Sequence, residues 1–321
     1  MKHVFVFDPK AFIDQEWKID EILDTLGQYF RKQENPVFSI QYSRYRRNAM
    51  GIIQKEVEKA DPDDIIRVYA VGGDEILFDC LNAATHFSNI ELAIMPYGRT
   101  PIDFLNIFGE NQIENFRDIL SIVSGKPLPT DVIKWGVNYA LNSCYIGMNS
   151  TISQRIKNMQ SSMGRKSFIV FFKISFFINS IFAAFDKQIA AREYKITVDD
   201  TDYSGHYSLI HVANGPYHNR KITGVKDASP DDGLLDVALI KSTHPLGILS
   251  SMKKYSKGKR SKSCLFFQAK KITVETGSEM WIQVDNEYIQ DTSISLSVVP
   301  NAVNMVAVNN LSYPMASIPA V

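Results

Sequence analysis

Ile65-Ile66-Arg67-Val68-Tyr69-Ala70-Val71-Gly72-Gly73-Asp74 is the stretch that decides the fold. A run of β-branched and aromatic residues ends on two glycines and a carboxylate. From Ile76 to Ala84 the apolar residues then recur at helical spacing. Strand, glycine turn and helix in that order describe the start of a crossover unit, whose consecutive strands lie parallel. Paired glycines at such a turn let backbone N–H groups approach phosphate oxygens, and the helix N-terminus adds a favourable dipole. Asp74 there can hold a cation or orient a hydroxyl. Its plainer reading is the N-cap of a helix after a tight turn.

The alternation extends outward. Strand-like runs occupy His3–Phe7, Val37–Gln41 and Glu91–Met95, and helical periodicity covers Gln15–Lys32 and Arg47–Lys59. The first 125 residues therefore read as an α/β domain built on a parallel sheet. From about Pro127 the pattern changes to short strands separated by Gly, Asn and Asp turns: Asp131–Tyr139, Tyr194–Val198, Tyr207–Ala213, Leu234–Ile240, Lys271–Val274, Trp281–Val284 and Ser293–Val299. A mainly antiparallel β domain is expected there. Its helical exceptions are Thr151–Met159, a Phe-rich segment and a stretch from Pro245. The boundary falls in the turn-forming Ser124-Gly125-Lys126-Pro127-Leu128-Pro129, and a cleft between two such domains is a usual place for a ligand.

At 321 residues the chain is about twice the length of an average domain, which agrees with two. Apolar residues at 45% and charged residues at 22% exclude wholesale disorder. Lys+Arg and Asp+Glu both number 35, so the basic excess of a dedicated nucleic-acid binder is missing and no nucleic-acid partner is expected. Cys80, Cys144 and Cys264 match no metal spacing and read as reduced thiols of a cytoplasmic protein. The N-terminal apolar run is too short for a signal-peptide core and reads as a first strand. Phe168–Phe185 is nearly all apolar and sits at the lower edge of membrane-spanning length. Lys173 inside it favours a buried or surface-docked helix over a span. The basic run of Lys253, Lys254, Lys257, Lys259, Arg260 and Lys262 predicts peripheral binding to an anionic lipid surface, weakening as salt rises. A solvated loop is its plainer reading.

Three further motifs carry chemistry. Pro96-Tyr97-Gly98-Arg99-Thr100-Pro101-Ile102-Asp103-Phe104 follows a strand, where open α/β folds place ligands. Ser229-Pro230-Asp231-Asp232-Gly233-Leu234-Leu235-Asp236-Val237 sets adjacent carboxylates before a glycine turn. Those carboxylates can supply hard oxygen ligands, or simply form a polar turn. Val284-Asp285-Asn286-Glu287-Tyr288 reads as a two-residue hairpin turn, with Glu287 either solvated or offered to a cleft as a general base.

The order and spacing of these motifs resemble the diacylglycerol-kinase catalytic family, the bacterial lipid-kinase branch related to sphingosine and ceramide kinases. Asp227–Val237 is close to the family's A-x-x-D-D-G-L-L-D-V, and Val212-Ala213-Asn214-Gly215 matches its V-A-N-G. Gly72-Gly73-Asp74 matches the start of G-G-D-G-T, Pro96–Phe104 occupies the place of P-x-G-T-x-N-D-F, and Asp285-Asn286-Glu287 stands for D-G-E. Pro300-Asn301-Ala302 resembles the closing P-x-A, and Ser43 falls where a Thr or Ser near the nucleotide is usual.

The resemblance implies an ATP-binding α/β domain of residues 1–125, rejoined by 300–321, and a lipid-binding β-sandwich of 126–299. By the same carry-over Gly72, Gly73 and Asp74 line the triphosphate, with Ser43, Gly98, Thr100 and Asp103 around the nucleotide. Glu287 removes the proton of a lipid hydroxyl, with Asp74 beside it as the second catalytic residue. Asp232 binds Mg²⁺ with the backbone oxygens of Ser229 and Leu234. The implied partners are ATP and a lipid at a membrane surface, and a homodimer is left open.

The departures gather on the nucleotide side. Glu75-Ile76 replaces Gly-Thr, removing a backbone freedom peculiar to glycine, adding a carboxylate near phosphates and deleting a hydroxyl. Asp8-Pro9-Lys10-Ala11-Phe12 replaces N-P-x-S-G, and Asn219-Arg220 replaces Gly-Gly. A catalytically impaired relative that binds lipid or nucleotide is thus the alternative to an active kinase.

Overall fold

Four strands of the first half pair in parallel in the order β2-β1-β3-β4, where β1 is Lys2–Phe7, β2 Phe38–Tyr42, β3 Ile66–Gly72 and β4 Ile90–Pro96. The computed structural model describes all of residues 1–321 except 14, 34–36, 99–101, 159–174, 177, 219–220, 223–224, 226, 310 and 314–321. Helices α1 (Trp17–Phe30), α2 (Asn48–Glu58) and α3 (Asp74–Ala84) connect these strands. Ile22, Leu26 and Phe30 repeat every four residues along α1 and are all buried. Phe5 stacks on Tyr69 at 4.0 Å across β1 and β3, and Phe30 on Phe38 at 4.4 Å. The charges in this core are paired: Arg67 of β3 and Glu91 of β4 meet at 2.5 Å, and Arg67 also donates to the Val123 carbonyl at 2.7 Å.

After α4 (Ile102–Phe108), α5 (Ile113–Arg117) and α6 (Ile119–Val123), the expected linker is instead the start of strand β5 (Lys126–Trp135). Pro127 and Pro129 are tolerated because this part of β5 pairs only with residues Val303–Ala307, on one side, and needs no second row of N–H donors. Gly136 at φ 57° turns the chain into β6 (Asn138–Ala140), dividing the single strand expected over Asp131–Tyr139.

A second core lies between antiparallel layers formed by β7 (Ser143–Gly147), β8 (Arg192–Val198), β10 (Gly205–Ala213), β13 (Leu235–Lys241), β14 (Cys264–Ala269), β15 (Lys271–Val284) and β16 (Glu287–Ala307). Of the short strands between them, β9 (Thr201–Asp202) pairs with β8, and β11 (Tyr217–His218) with β12 (Lys221–Ile222). Lys271–Val274 and Trp281–Val284 belong to one long strand whose register shifts between Glu275 and Met280. Strand β16 crosses both cores: Ile294 and Leu296 pack in the second, Val303, Met305 and Val306 in the first. Its end pairs in parallel with β4, Asn304 opposite Glu91. Helix α7 (Met148–Asn158), residues 178–185, α8 (Lys187–Ala190) and α9 (Pro245–Tyr255) enclose a small satellite core. Of Phe168–Phe185, residues 168–174 and 177 lie outside the described residues, among which no helix is long and apolar enough to cross a membrane. His211 stacks on Tyr145 at 4.0 Å and bonds the Tyr255 hydroxyl, as a packing residue does.

Candidate functional site

The chain leaves β1 toward β2 and resumes at β3 on the other side, so a crevice opens at the C-terminal ends of β1 and β3. Phe7 pairs with Val71, which sets Asp8 against Gly72. A Cβ on Gly72 would lie 2.9 Å from both Asp8 Cβ and Ile76 Cγ2, so the close approach requires glycine. Gly73, whose Cβ would meet nothing nearer than the Tyr97 carbonyl at 3.7 Å, N-caps α3 and brings no capping side chain to its N–H groups. Asp74 is the first helical residue, buried, rather than the cap. Glu75 is an ordinary helical residue and is absent from the positive-φ positions, so the expected backbone penalty does not arise. Its carboxylate remains as a charge at the mouth.

The hollow is lined by Asp8 and Lys10 after β1, Ser43, Tyr45 and Arg46 after β2, and Glu75, Ile76 and Asp79 of α3. Ser43 is held by its own N–H donating to the Phe7 carbonyl at 2.8 Å. Asp79 accepts from the backbone N–H groups of Arg47 and Ala49, capping α2 from another helix. Burial outweighs those bonds and the Arg47 charge and pushes Asp79 up to about 6. Burial also raises Asp8, reinforced by Glu75. Gly98 packs its Cα side against Ala11 and has φ 93°. Thr100 lies outside the described residues, as do Arg99, Asn219 and Arg220; Asp103 falls within α4.

Glu287 belongs to the other core and meets Arg46, which lines the hollow; Gly72, Gly73, Asp74 and Glu287 are not themselves among the lining residues. Val284 pairs with Glu287 across a two-residue turn in which Asp285 takes φ 48°. The buried Asp285 carboxylate accepts three backbone N–H bonds, from Leu141 (2.6 Å), Asn142 (3.0 Å) and Ser143 (2.9 Å), which fixes the turn. The Glu287 carboxylate then accepts a hydrogen bond from the Arg46 guanidinium. Asn82 of α3 adds a clamp between the halves, accepting from Tyr139 N–H at 2.8 Å and donating to its carbonyl at 2.9 Å.

The Asp-Asp-Gly turn lies apart, and none of its residues lines the hollow. Asp232 accepts from Leu234 N–H at 2.9 Å and from Gln268 at 3.3 Å, while the Ser229 hydroxyl bonds Asp231. Asp131, buried on β5, accepts from Gly233 N–H at 2.6 Å and Asn301 N–H at 2.8 Å, joining this turn to the bulge of β16. Asn214 donates to the carbonyls of Asp131 and Leu141. Burial, then Asp232, raises Asp236 to about 7, and its Oδ2 is buried with no hydrogen-bond partner. No group of three or more His, Cys, Asp or Glu suited to a metal occurs among the described residues.

The sequence reading overlooked Arg46, Asp79 and Asp131. Asp131 alone had a visible signal, a single carboxylate on an apolar strand; the other two are paired by folding.

These shifts fix a pH dependence. Burial pushes Asp79 and Asp236 up to about 6 and 7 from an ordinary value of 3.8 and raises Asp285 as well, so between about 4 and 6 the folded chain holds more protons than the unfolded one. Stability then falls as pH rises through that window. His3, lowered by burial from 6.5 to about 4, acts oppositely, but it is one group against three. Burial alone would raise Glu56, yet Lys2 and Lys59 hold it low, and that contribution is lost only as acid reaches its folded value. The expected result is a Tm several degrees higher near pH 5 than near pH 7, read by scanning calorimetry.

The fold and site define a two-core α/β protein with a carboxylate-lined hollow at the strand ends, one of whose lining residues, Arg46, pairs with a hairpin carboxylate of the other core. The family model for the YegS C-terminal NAD kinase beta sandwich-like domain matches residues 142–307, and the chain belongs to that family. The Staphylococcus aureus (strain MSSA476) protein named "Putative lipid kinase SAS0691" is 29% identical over 281 residues, 85% of this chain and 87% of its own. A crystal structure of "a putative diacylglycerol kinase" from Bacillus anthracis str. Sterne superposes with a TM-score of 0.71 at 22% identity, covering 96% of this chain and 97% of that one. A diacylglycerol kinase structure from the same organism gives 0.68 at 20% identity, covering 97% and 98%.

Proposed function

We propose that this chain is an ATP-dependent lipid kinase, with residues 1–125 and 300–321 taking the nucleotide and 126–299 the lipid. In this reading the protein is cytoplasmic and meets its lipid at a membrane surface. Gly72, Gly73 and Asp74 face the triphosphate, with Ser43, Gly98, Thr100 and Asp103 around the nucleotide, and Glu287 is the base. The observation that carries it is the Arg46–Glu287 pair, which brings the hairpin carboxylate to a residue lining the hollow at the strand ends. The lipid hydroxyl oxygen attacks the γ-phosphorus, its proton passes to Glu287, and the bond to the bridging oxygen breaks to release ADP. Arg46 must first leave Glu287, and its guanidinium is then free to fork onto phosphate oxygens beside Lys10.

Asp232, with the backbone oxygens of Ser229 and Leu234, would hold Mg²⁺. The donor set fits a hard cation, since Asp236 beside it keeps a buried oxygen without a partner. When bound, the ion would neutralise these carboxylates and fix the turn. Added Mg²⁺ is expected to raise Tm, and Asp232→Ala should abolish that gain.

The test of the reaction is transfer of label from γ-labelled ATP to a panel of diacylglycerol, sphingoid and phosphatidylglycerol acceptors. Label in one lipid supports the reading, and none in any lipid ends it. A second reading, binding without transfer, is favoured by one observation: Asp8, Glu75 and Asp79 oppose only Lys10 and Arg46 in the hollow. Under the kinase reading the double variant Glu75→Gly/Ile76→Thr should bind ATP about tenfold more tightly by calorimetric titration, by removing a like charge.

A further inference from the structure

We infer that a cavity between α7, α8 and the strands β8, β15 and β16 binds a small neutral polyol such as a monosaccharide. It shares no lining residue with the hollow at the strand ends, and the inference does not rest on the kinase reading. Trp281 and Gln290 line it and face each other across β15 and β16, three steps from the Val284–Glu287 pair. Side chains alternate between the two faces of a strand, so this pair points away from the face that carries Glu287.

The cavity measures about 230 Å³, against the roughly 10–15 Å³ that one water needs. Tyr194 of β8 lines it and is 1% exposed, yet its hydroxyl has no hydrogen-bond partner among the described residues. A buried phenol is ordinarily paired, and one left unpaired beside a cavity marks a place for a ligand oxygen. Gly147, at φ 99°, also lines the cavity. A Cβ there would sit 2.7 Å from the Ser208 carbonyl oxygen and 3.4 Å from the Tyr194 hydroxyl, so glycine keeps the space beside that hydroxyl clear.

Planar polar groups surround this floor. Arg155 of α7, Arg192 of β8, Asp186 before α8 and Glu279 of β15 all line the cavity, and none of them forms an ion pair among the described residues. Arg192 donates to the carbonyls of Gln188 at 3.1 Å and Glu279 at 2.8 Å, and Asp186 accepts from Gln188 N–H at 2.9 Å. Those backbone bonds hold both side chains in place and leave Arg192 Nη2 and Asp186 Oδ2 for another partner. Two guanidinium groups against two carboxylates give the lining no net charge, which favours neither an anion nor a cation. Gln188 and Gln290 add amides, and Trp281 adds a ring. Six forked groups suit a ligand of many hydroxyls, each able to donate and accept, with the ring against its C–H face. A zwitterionic amino acid would use one arginine and one acid and leave the others unmatched, and an acyl chain would match none.

The test uses the full chain without nucleotide or lipid, titrated with myo-inositol and D-glucose and, as charged controls, with glutamate and lysine, by saturation-transfer NMR. Saturable binding of one of the two polyols, about tenfold weaker in Tyr194→Phe and in Arg155→Ala, is the expected result. Tyr194→Phe removes a single oxygen and keeps the ring, so the unliganded variant should melt no lower than the wild type, because no bond within the fold is lost. Arg155 is exposed and its truncation leaves the core as it is. No saturable binding of either polyol at tens of millimolar, preference for glutamate or lysine, undiminished binding in either variant, or a lower Tm in unliganded Tyr194→Phe would each overturn the inference.

Discussion

Under the kinase reading, Glu287→Gln should lower turnover by about 10²- to 10⁴-fold while the KM for ATP stays within about twofold. The amide keeps the volume of the side chain and can still accept a hydrogen bond from Arg46, so the hollow and the hairpin are undisturbed. What it would lose, on the proposed mechanism, is the ability to take a proton from the attacking hydroxyl, an interaction made only as the new bond forms. Steady-state kinetics with the preferred lipid acceptor read the effect, and ADP titration of the variant should match that of the wild type. Arg46→Gln is the companion measurement. It frees the carboxylate, so turnover should hold or rise, while ATP affinity falls because a phosphate partner is gone. A Glu287→Gln chain with full turnover would remove the carboxylate from the mechanism.

Much of the first core was legible because its signals are local. The alternation of period-two and helical runs fixed β1, β3, β4 and α1–α3 to within a few residues, and Gly72 stands where a Cβ would strike Asp8 and Ile76. The second core was read in fragments. Strand β7 was missed because Ser143–Gly147 is short, and its burial comes from β10 and β15, which are distant in sequence. Strand β14 was obscured by the basic run before it, although Phe266 and Phe267 pair with Ala238 and Val237. Proline at 127 and 129 looked like a linker, and only the one-sided pairing with β16 shows why a strand survives there.

The candidate site divides the same way. Motif positions such as Gly72 and Glu287 could be named from spacing. Arg46 lies 241 positions from Glu287, and no local pattern announces a pairing created by folding.

Asp285→Ala tests the device that aims Glu287, and its expected cost is about 3 kcal/mol, or a Tm lower by roughly 5–10 °C. Three backbone donors at Leu141, Asn142 and Ser143 lose their acceptor together, and unmet buried donors cost roughly 1–3 kcal/mol each before water reaches them. Asp285 is buried, so alanine leaves a polar space there, and a water entering it would recover part of that sum. Left-handed backbone at this position adds to the loss, since alanine tolerates it less well than aspartate. Stability alone would not separate a turn that aims a side chain from one that merely holds a sheet. Leu296→Ala, a cavity in the same core, supplies the contrast with a cost of about 2–5 kcal/mol. Both variants should melt earlier, but only Asp285→Ala should also lose turnover at a temperature where each is fully folded. The Glu287 carboxylate then no longer sits on a turn pinned by three bonds, whereas the cavity leaves that turn as it is.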